Sequence, residues 1–404
     1  MADFDLMRQL ARPAGGKIVL LVLDGLGGLP MGDHTSTTLE YAHTPHMDRL
    51  ATEGSLGLSQ PIRPGITPGS GPAHLALFGY DPVATPVGRG VLSALGIGFD
   101  LRPEDVAARG NFCTVDGDGL IVDRRAGRIS SEQAHPLVEK LDAIKIAGVE
   151  IAVRQVKEYR FMLALRGDGL DGGIEDTDPQ ATGKAPLPVT AMVLEAEKTA
   201  RIVQAWLDRA GSILADDHPA NMVTLRGFGQ DPLLPKFGEV YKLSAACVAV
   251  YPMYKGVSRL VGMDVVDTAT DMTPADEFEL VSSHWDDFDF FFVHIKPTDS
   301  RGEDGNFEAK AAVIESVDAA LPDLLGLEPD VLIITADHST PAQLRSHSWH
   351  PVPTLLWAPA THLPDTATSF GEREAQRGGL GHFPATELMP LALAHALRLE
   401  KYGA

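Results

Sequence analysis

Cysteine is almost missing from these 404 residues, with only Cys113 and Cys247 present. No disulfide framework is available, and a reducing, cytoplasmic compartment is expected. Cationic charge is also short: 34 Lys and Arg stand against 55 Asp and Glu, for a formal net charge of −21. A long-range field of that sign repels polyanions, which argues against nucleic acid and acidic membrane surfaces as partners. Long apolar runs are lacking as well. The longest early one, Ile18 to Leu23, is far too short to span a bilayer. The opening Met1-Ala2-Asp3-Phe4-Asp5 has no basic-then-apolar signal pattern. There is no internal repeat, and the Gly/Asp and Pro clusters read as turns rather than as low-complexity linkers. Nothing in the composition speaks to oligomeric state.

What remains is an ordinary globular composition, 44% hydrophobic and 22% charged, in a chain long enough for two or three domains. Ile18 to Leu23 is a continuous apolar run ending in Asp24-Gly25, the pattern of a buried parallel strand with a carboxylate at its C-terminal end. Phe290 to Ile295, leading to Lys296 and Asp299, and Val331 to Thr335, leading to Asp337-His338, repeat that pattern. Between them, Asn306 to Leu325 carries helical spacing, so strand, helix and strand predict a parallel βαβ unit. Open α/β sheets bind ligands beyond the carboxyl ends of their strands, which makes the acidic residues there candidates for a site. From about Leu92 to Pro235 the apolar runs shorten and Gly/Asp turns multiply, with helices predicted near Glu132 to Ala147 and Val193 to Ala210. The predicted organisation is an α/β core formed by 1–91 and 236–404, interrupted by an inserted α+β domain over 92–235.

Two groups of residues carry chemistry. Ile66 to His74 is a Gly/Pro-rich turn ahead of an apolar helix-like stretch, and it holds Ser70. A hydroxyl there either receives an anion at a helix N-terminus or simply caps the helix; Thr67 is the alternative hydroxyl. His74 is expected to pack its helix. The second group is Asp299, Glu303, Asp337, His338 and His347, a mixture of hard oxygen and imidazole ligands that suits Mn²⁺, Mg²⁺ or Zn²⁺. Asp337 and His338 are adjacent, so both reach one cavity only if the chain leaves the extended conformation, as Ser339-Thr340-Pro341 allows.

In order along nearly the whole chain, Val22-Leu23-Asp24-Gly25, Pro64 to Ser70, Ala73 to Pro82, Arg109 to Phe112 and Asp123 to Arg128 form a recognisable series. His294-Ile295-Lys296, Asp337 to Pro341, His347-Ser348 with Pro351-Val352-Pro353, and Glu400 to Ala404 continue it. The series resembles archaeal-type 2,3-bisphosphoglycerate-independent phosphoglycerate mutases, of the alkaline phosphatase superfamily. The resemblance implies a three-layer α/β/α core carrying two divalent metals, with a substrate-binding domain inserted. It makes Ser70 the nucleophile and places Asp24, Ser70, Asp337 and His338 around one metal. Asp299, Glu303 and His347 would hold the other. Mn²⁺ or Mg²⁺ is expected, with Co²⁺ and Zn²⁺ as alternatives. Two positions depart from the family pattern: Glu303 stands where His is usual, and Gly71-Pro72 where Asp-Thr is usual.

A phosphate substrate on so acidic a chain needs local positive charge. Arg124, Arg125 and Arg128 cluster beside Asp123, and Arg160, Arg166, Arg226 and Lys255 lie in or near the insert. Guanidinium forks bind phosphate or carboxylate in a bidentate way, which suits a small phosphorylated hydroxy acid. Asp123 is a candidate acid/base for the glycerate hydroxyl, and Lys296 a candidate contact to the transferring phosphate. The expected reaction interconverts 3- and 2-phosphoglycerate through phosphoserine, in glycolysis and gluconeogenesis. The alternative is a sister phosphotransferase or phosphatase acting on another small phosphorylated acid, such as a homoserine-linked substrate. A non-catalytic metal-binding partner protein is the reading from another class, and the retained serine with a full set of hard ligands speaks against it.

Overall fold

Every residue of Ile18–Leu23 is buried in the computed structural model, which describes residues 3–403. A strand without polar alternation must be covered on both faces, and this one is central. It pairs in parallel with Phe290–Ile295 on one side and with Val331–Thr335 on the other. All three strands have the limits that their apolar runs predict. The helix between the latter two spans Phe307–Leu325 and is capped by Asn306, whose side chain accepts from the Ala309 N–H at 3.0 Å. These two strands do not pair with each other. The N-terminal strand fills the gap between them, so the crossover spans one strand.

The full sheet has eight strands, in the order Gly381–Pro384, Ser55–Gln60, Val352–Trp357, Val331–Thr335, Ile18–Leu23, Phe290–Ile295, Ala245–Ala249 and Asp264–Val265. Val352–Trp357 runs antiparallel to both its neighbours, so the sheet is mixed. Val19, Leu21 and Leu23 pack in one apolar cluster with Leu50, Phe278, Ile314 and Leu321, all on helices. On the other face, Phe292 meets Phe78 at 5.0 Å and Phe290 meets Phe237 at 4.9 Å between ring centroids. Helices thus cover both faces, the α/β/α layering expected. In register, Leu23 lies beside Ile295 and Val22 beside Thr335, so Asp24, Lys296 and Asp337 emerge at one edge.

The chain divides into two compact units, Met1–Pro86 with Pro235–Ala404, and Val87–Leu234. The second is an antiparallel α+β unit. Val106–Val115 pairs with Ile121–Asp123, Arg160–Arg166 and Met222–Gly229, and Glu150–Lys157 pairs with Arg160–Arg166. Its core gathers Phe112, Phe161, Trp206 and Leu225, with helices Ser131–Asp142 and Glu197–Leu214 supplying Val138, Leu141, Val203 and Leu214. Both helices begin and end within several residues of their predicted limits. Leu92, the predicted start of the insert, falls inside helix Arg89–Gly96, which packs on this sheet. A Cβ on Gly90 would lie 2.3 Å from the Ala107 carbonyl oxygen, so the close approach depends on glycine. Among the described residues, no helix is long and apolar enough to cross a membrane.

Candidate active site

Three loops leave the carboxyl ends of neighbouring strands and are tied together by their backbones. Gly25, at φ +63°, turns the chain sharply after Asp24. The Thr340 N–H donates to the Gly25 and Gly27 carbonyls at 3.1 and 3.0 Å. Lys310, fully buried, donates from Nζ to the carbonyls of Gly25, Gly27 and Thr340 at 2.8, 3.1 and 2.8 Å. Burial lowers the pKa of that lysine to about 8. Past Thr335 the strand ends, which lets the side chains of both Asp337 and His338 turn inward, as their adjacency requires.

Asp24, Asp337 and His338 come together, as do Asp299, His338 and His347. His338 Nε2 is 3.0 Å from Asp337 Oδ2 and 3.4 Å from Asp24 Oδ1, and its ring stacks on His347 with centroids 3.6 Å apart. His347 donates from Nδ1 to the Pro68 carbonyl at 2.9 Å, leaving Nε2 3.6 Å from Asp299 Oδ1. Glu303 sits at the rim, its side chain 56% exposed and 4.0 Å from His347 Nε2. Ser70 is the first residue of helix Ser70–Leu77, and its Oγ lies 3.2 Å from His338 Nε2. Gly69 is the N-cap and, having no side chain, leaves the N–H groups of the helix start uncapped by it; Thr67 is exposed.

The charges are unusual. Asp24, Asp299 and Asp337 are all buried, and buried carboxylates need cationic partners. Lys296 bridges two of them, 3.0 Å from Asp24 Oδ2 and 2.5 Å from Asp299 Oδ2. Burial disfavours the charge of Asp24, yet Lys296 and His294 hold its carboxyl well below the usual range. Burial likewise opposes ionisation of His338, and Asp337 reverses it, raising the imidazole. Despite burial, Asp24 and Asp299 keep Lys296 charged. Asp24 Oδ1 and Asp337 Oδ2 have no hydrogen-bond partner among the described residues. Two bare buried oxygens beside imidazole nitrogens form a donor set that fits a hard divalent cation.

Several residues of this site were given no role in it by the sequence. His74 lies one helical turn after Ser70, donates from Nδ1 to the Ser70 carbonyl at 2.8 Å and stands 3.5 Å from Asp337 Oδ2. It is part of the site's wall as well as of its helix, and burial lowers it to about 4. Tyr254 donates its hydroxyl to Asp24 Oδ2 and stacks on His294 at 3.5 Å. The Thr340 hydroxyl touches both Asp299 and His338.

The second unit holds the arginines. Arg124 forms a two-pronged pair with Asp178, at 3.2 and 2.8 Å, and Arg226 approaches the same carboxylate at 3.7 Å. Arg109 lies opposite Arg226 in the strand register. Asp178 was not legible as their organiser, because it is 54 residues from Arg124. Arg160 packs its guanidinium over the Tyr159 ring and pairs with Glu158 at 3.1 Å, while Arg125 and Arg128 are exposed. Arg166 is committed to Asp105 through three contacts of 2.6–3.2 Å and to the Asp100 carbonyl, a structural ion pair. Both Asp123 oxygens accept from backbone N–H groups of its own turn, Arg125 at 2.8 Å and Gly127 at 2.7 Å. Lys255 belongs to helix Pro252–Leu260 of the first unit.

A family model described as 2,3-bisphosphoglycerate-independent phosphoglycerate mutase matches residues 51–221. The chain is 50% identical over 404 residues to a Thermus thermophilus protein named as a probable 2,3-bisphosphoglycerate-independent phosphoglycerate mutase, covering 99% of each. A Thermotoga maritima protein of the same name is 47% identical over 402 residues, again with 99% of each chain covered. Among solved structures, a Pyrococcus horikoshii protein superposes with a TM-score of 0.83 at 33% identity, covering 96% of this chain and 100% of that one. A cofactor-independent phosphoglycerate mutase from Thermoplasma acidophilum gives 0.70 at 31%, covering 94% and 100%. With near-complete coverage at half identity, the chain belongs to the 2,3-bisphosphoglycerate-independent phosphoglycerate mutases and is an isomerase of that family.

Proposed function

We propose that this enzyme interconverts 3- and 2-phosphoglycerate through a phosphoserine at Ser70, with two divalent cations held at the strand ends. The observation that carries the reading is the position of Ser70 Oγ, 3.2 Å from His338 Nε2 at the start of a helix, beside buried and partly unpaired carboxylates. Asp24, Asp337 and His338, with Ser70, would hold one cation; Asp299 and His347, with Glu303 at the rim, would hold the other. Such cations, Mn²⁺ or Mg²⁺ by their hard donor set, supply Lewis-acid polarisation of phosphoryl oxygens and a lowered pKa for a nearby hydroxyl.

The chain's own residues then do the following. Ser70 Oγ forms a bond to phosphorus while the bond from phosphorus to O3 of the substrate breaks. The proton lost from Ser70 is matched by one gained at O3. Glycerate O2 next attacks the same phosphorus, the Ser70 ester bond breaks, and the serine regains its proton. N–H groups of the helix start favour an anion at Ser70. His74 holds the Ser70 carbonyl and so the turn that presents the hydroxyl. Arg124 and Arg226, with Arg125, Arg128 and Arg160 as further candidates, bind the acid; guanidinium forks suit a carboxylate.

We read the activity as cytoplasmic, serving the glycolytic and gluconeogenic interconversion. Both cysteines are buried and free, and burial raises each thiol to about 12, as suits unpaired, unreactive thiols in a reducing compartment. A coupled assay converting 3- to 2-phosphoglycerate without added 2,3-bisphosphoglycerate tests the reading. Activity should vanish on chelation and return with Mn²⁺, Mg²⁺ or Co²⁺. Full turnover by protein shown to be metal-free by elemental analysis would rule the two-metal reading out.

A further inference from the structure

Thr340 is fully buried between the two candidate ligand groups. Its Oγ1 lies 2.7 Å from Asp299 Oδ1 and 3.0 Å from His338 Nδ1. We propose that Thr340 is a positioning residue of the metal centre, one that ties the two ligand groups together and dictates which nitrogen of His338 is bare.

The argument is one of proton accounting. A hydroxyl has one proton to give, and an ionised carboxylate only accepts. Thr340 therefore donates to Asp299. Its contact with His338 must then run the other way, with His338 Nδ1–H donating to a lone pair of the Thr340 oxygen. A neutral imidazole protonated at Nδ1 carries its lone pair on Nε2. Nε2 is the nitrogen that faces Ser70, Asp337 and Asp24, at 3.2, 3.0 and 3.4 Å. Imidazole ligands of metals characteristically donate their other N–H in this way, which fixes ring orientation and tautomer. A single hydroxyl thus presets His338 for one ion and orients Asp299 for the other.

The surroundings are built to keep that hydroxyl still. The Thr340 N–H bonds to the Gly25 and Gly27 carbonyls, and its own carbonyl is held by Lys310 Nζ at 2.8 Å. Two glycines clear its space. A Cβ on Gly25 would lie 2.4 Å from Thr340 Oγ1, and one on Gly302 would lie 2.4 Å from the Thr340 carbonyl oxygen.

This inference rests on the metal reading above, and the test separates the two. Chelator-stripped parent, Thr340→Val, Thr340→Ser and Asp337→Asn are titrated with Mn²⁺, free ion being read by electron paramagnetic resonance. Thr340→Val keeps the side-chain shape and removes the hydroxyl; it should weaken Mn²⁺ binding by roughly ten- to a hundredfold. Thr340→Ser should stay close to the parent. In the Mg²⁺-loaded parent, ¹⁵N spectra of labelled histidine should show His338 protonated at Nδ1. Parental Mn²⁺ affinity in Thr340→Val, with binding lost in Asp337→Asn, overturns the role of Thr340 and leaves the metal site standing. A failure of the parent to bind Mn²⁺ overturns both. Should Thr340→Val not fold, His338 carrying its proton on Nε2 in the loaded parent would still refute the assignment.

Discussion

At the strand ends of the first unit, Asp24, Asp299 and Asp337 are buried around Lys296, whereas on the sheet of the second unit Arg124 and Arg226 gather about Asp178. Parallel topology makes the first arrangement: segments far apart in sequence deliver their first loop residues to one edge, and hard ligands collect there. Antiparallel pairing and a turn make the second: Arg109 and Arg226 face each other on paired strands, and Asp178 joins Arg226 to Arg124, in the turn that follows Ile121–Asp123. The first set is short of positive charge and fits dications. The second gathers guanidinium forks of the kind proposed to bind the acid.

The comparison breaks most sharply at Ser70. Ser70→Ala should lower turnover by on the order of 10³-fold or more, with circular dichroism unchanged, because one hydroxyl at a helix start is removed. Retention of even a tenth of parental turnover would mean that the first unit's cluster does not act through this serine. Arg124→Ala probes the other side. The Michaelis constant should rise by roughly ten- to a hundredfold, the equivalent of about 1.5–3 kcal/mol, with kcat little changed. An unaltered constant would place the acid-binding arginines elsewhere.

Glu303 sharpens the first half of the comparison, since it brings a carboxylate to the rim, 4.0 Å from His347 Nε2. Glu303→His should remain active with its preference moved from Mn²⁺ and Mg²⁺ towards Zn²⁺, and Glu303→Ala should bind metal more weakly. Identical metal profiles in both variants and the parent would remove Glu303 from the shell.

The smallest effect concerns a buried carboxyl outside the site. Glu277 is buried in helix Pro274–Ser283, one of its oxygens lacks a partner, and burial followed by Asp276 raises its pKa from 4.5 to about 9. Above pH 4.5 the unfolded chain releases this proton while the folded chain keeps it, so its contribution to stability falls with pH until about 9 and then levels. Glu277→Gln should flatten the decline of melting temperature across that window. A parental slope in the variant would show that Glu277 is ionised in the folded state.

Much of this was legible in the sequence, for reasons that can be named. Buried parallel strands are continuous apolar runs, so Ile18–Leu23, Phe290–Ile295 and Val331–Thr335 could be delimited to the residue. Their terminal Asp24 and Asp337 could be marked as convergent because the fold brings such ends together. Thr340, Tyr254 and Lys310 could not. Each acts through a contact made only after the sheet has formed, and each has the composition of an ordinary turn or helix residue. The same holds in the second unit, where Asp178 sits in a turn and is matched to Arg124 by tertiary packing alone. Arg166 is a further case: its residue type suits an anion, and the structure pairs it with Asp105, a buried carboxylate of the same unit, which its sequence position does not announce.

The central claim is that the phosphoryl group passes through Ser70, and trapping it is the most direct test. The metal-loaded enzyme is mixed with 3-phosphoglycerate, quenched in acid within the turnover time, digested and sequenced by mass spectrometry. The account predicts a phosphate on Ser70 that is absent from Ser70→Ala and from chelated enzyme. A phosphate on Thr67 or on a histidine, or a parent that turns over with no phosphorylated peptide at any quench time, would contradict it.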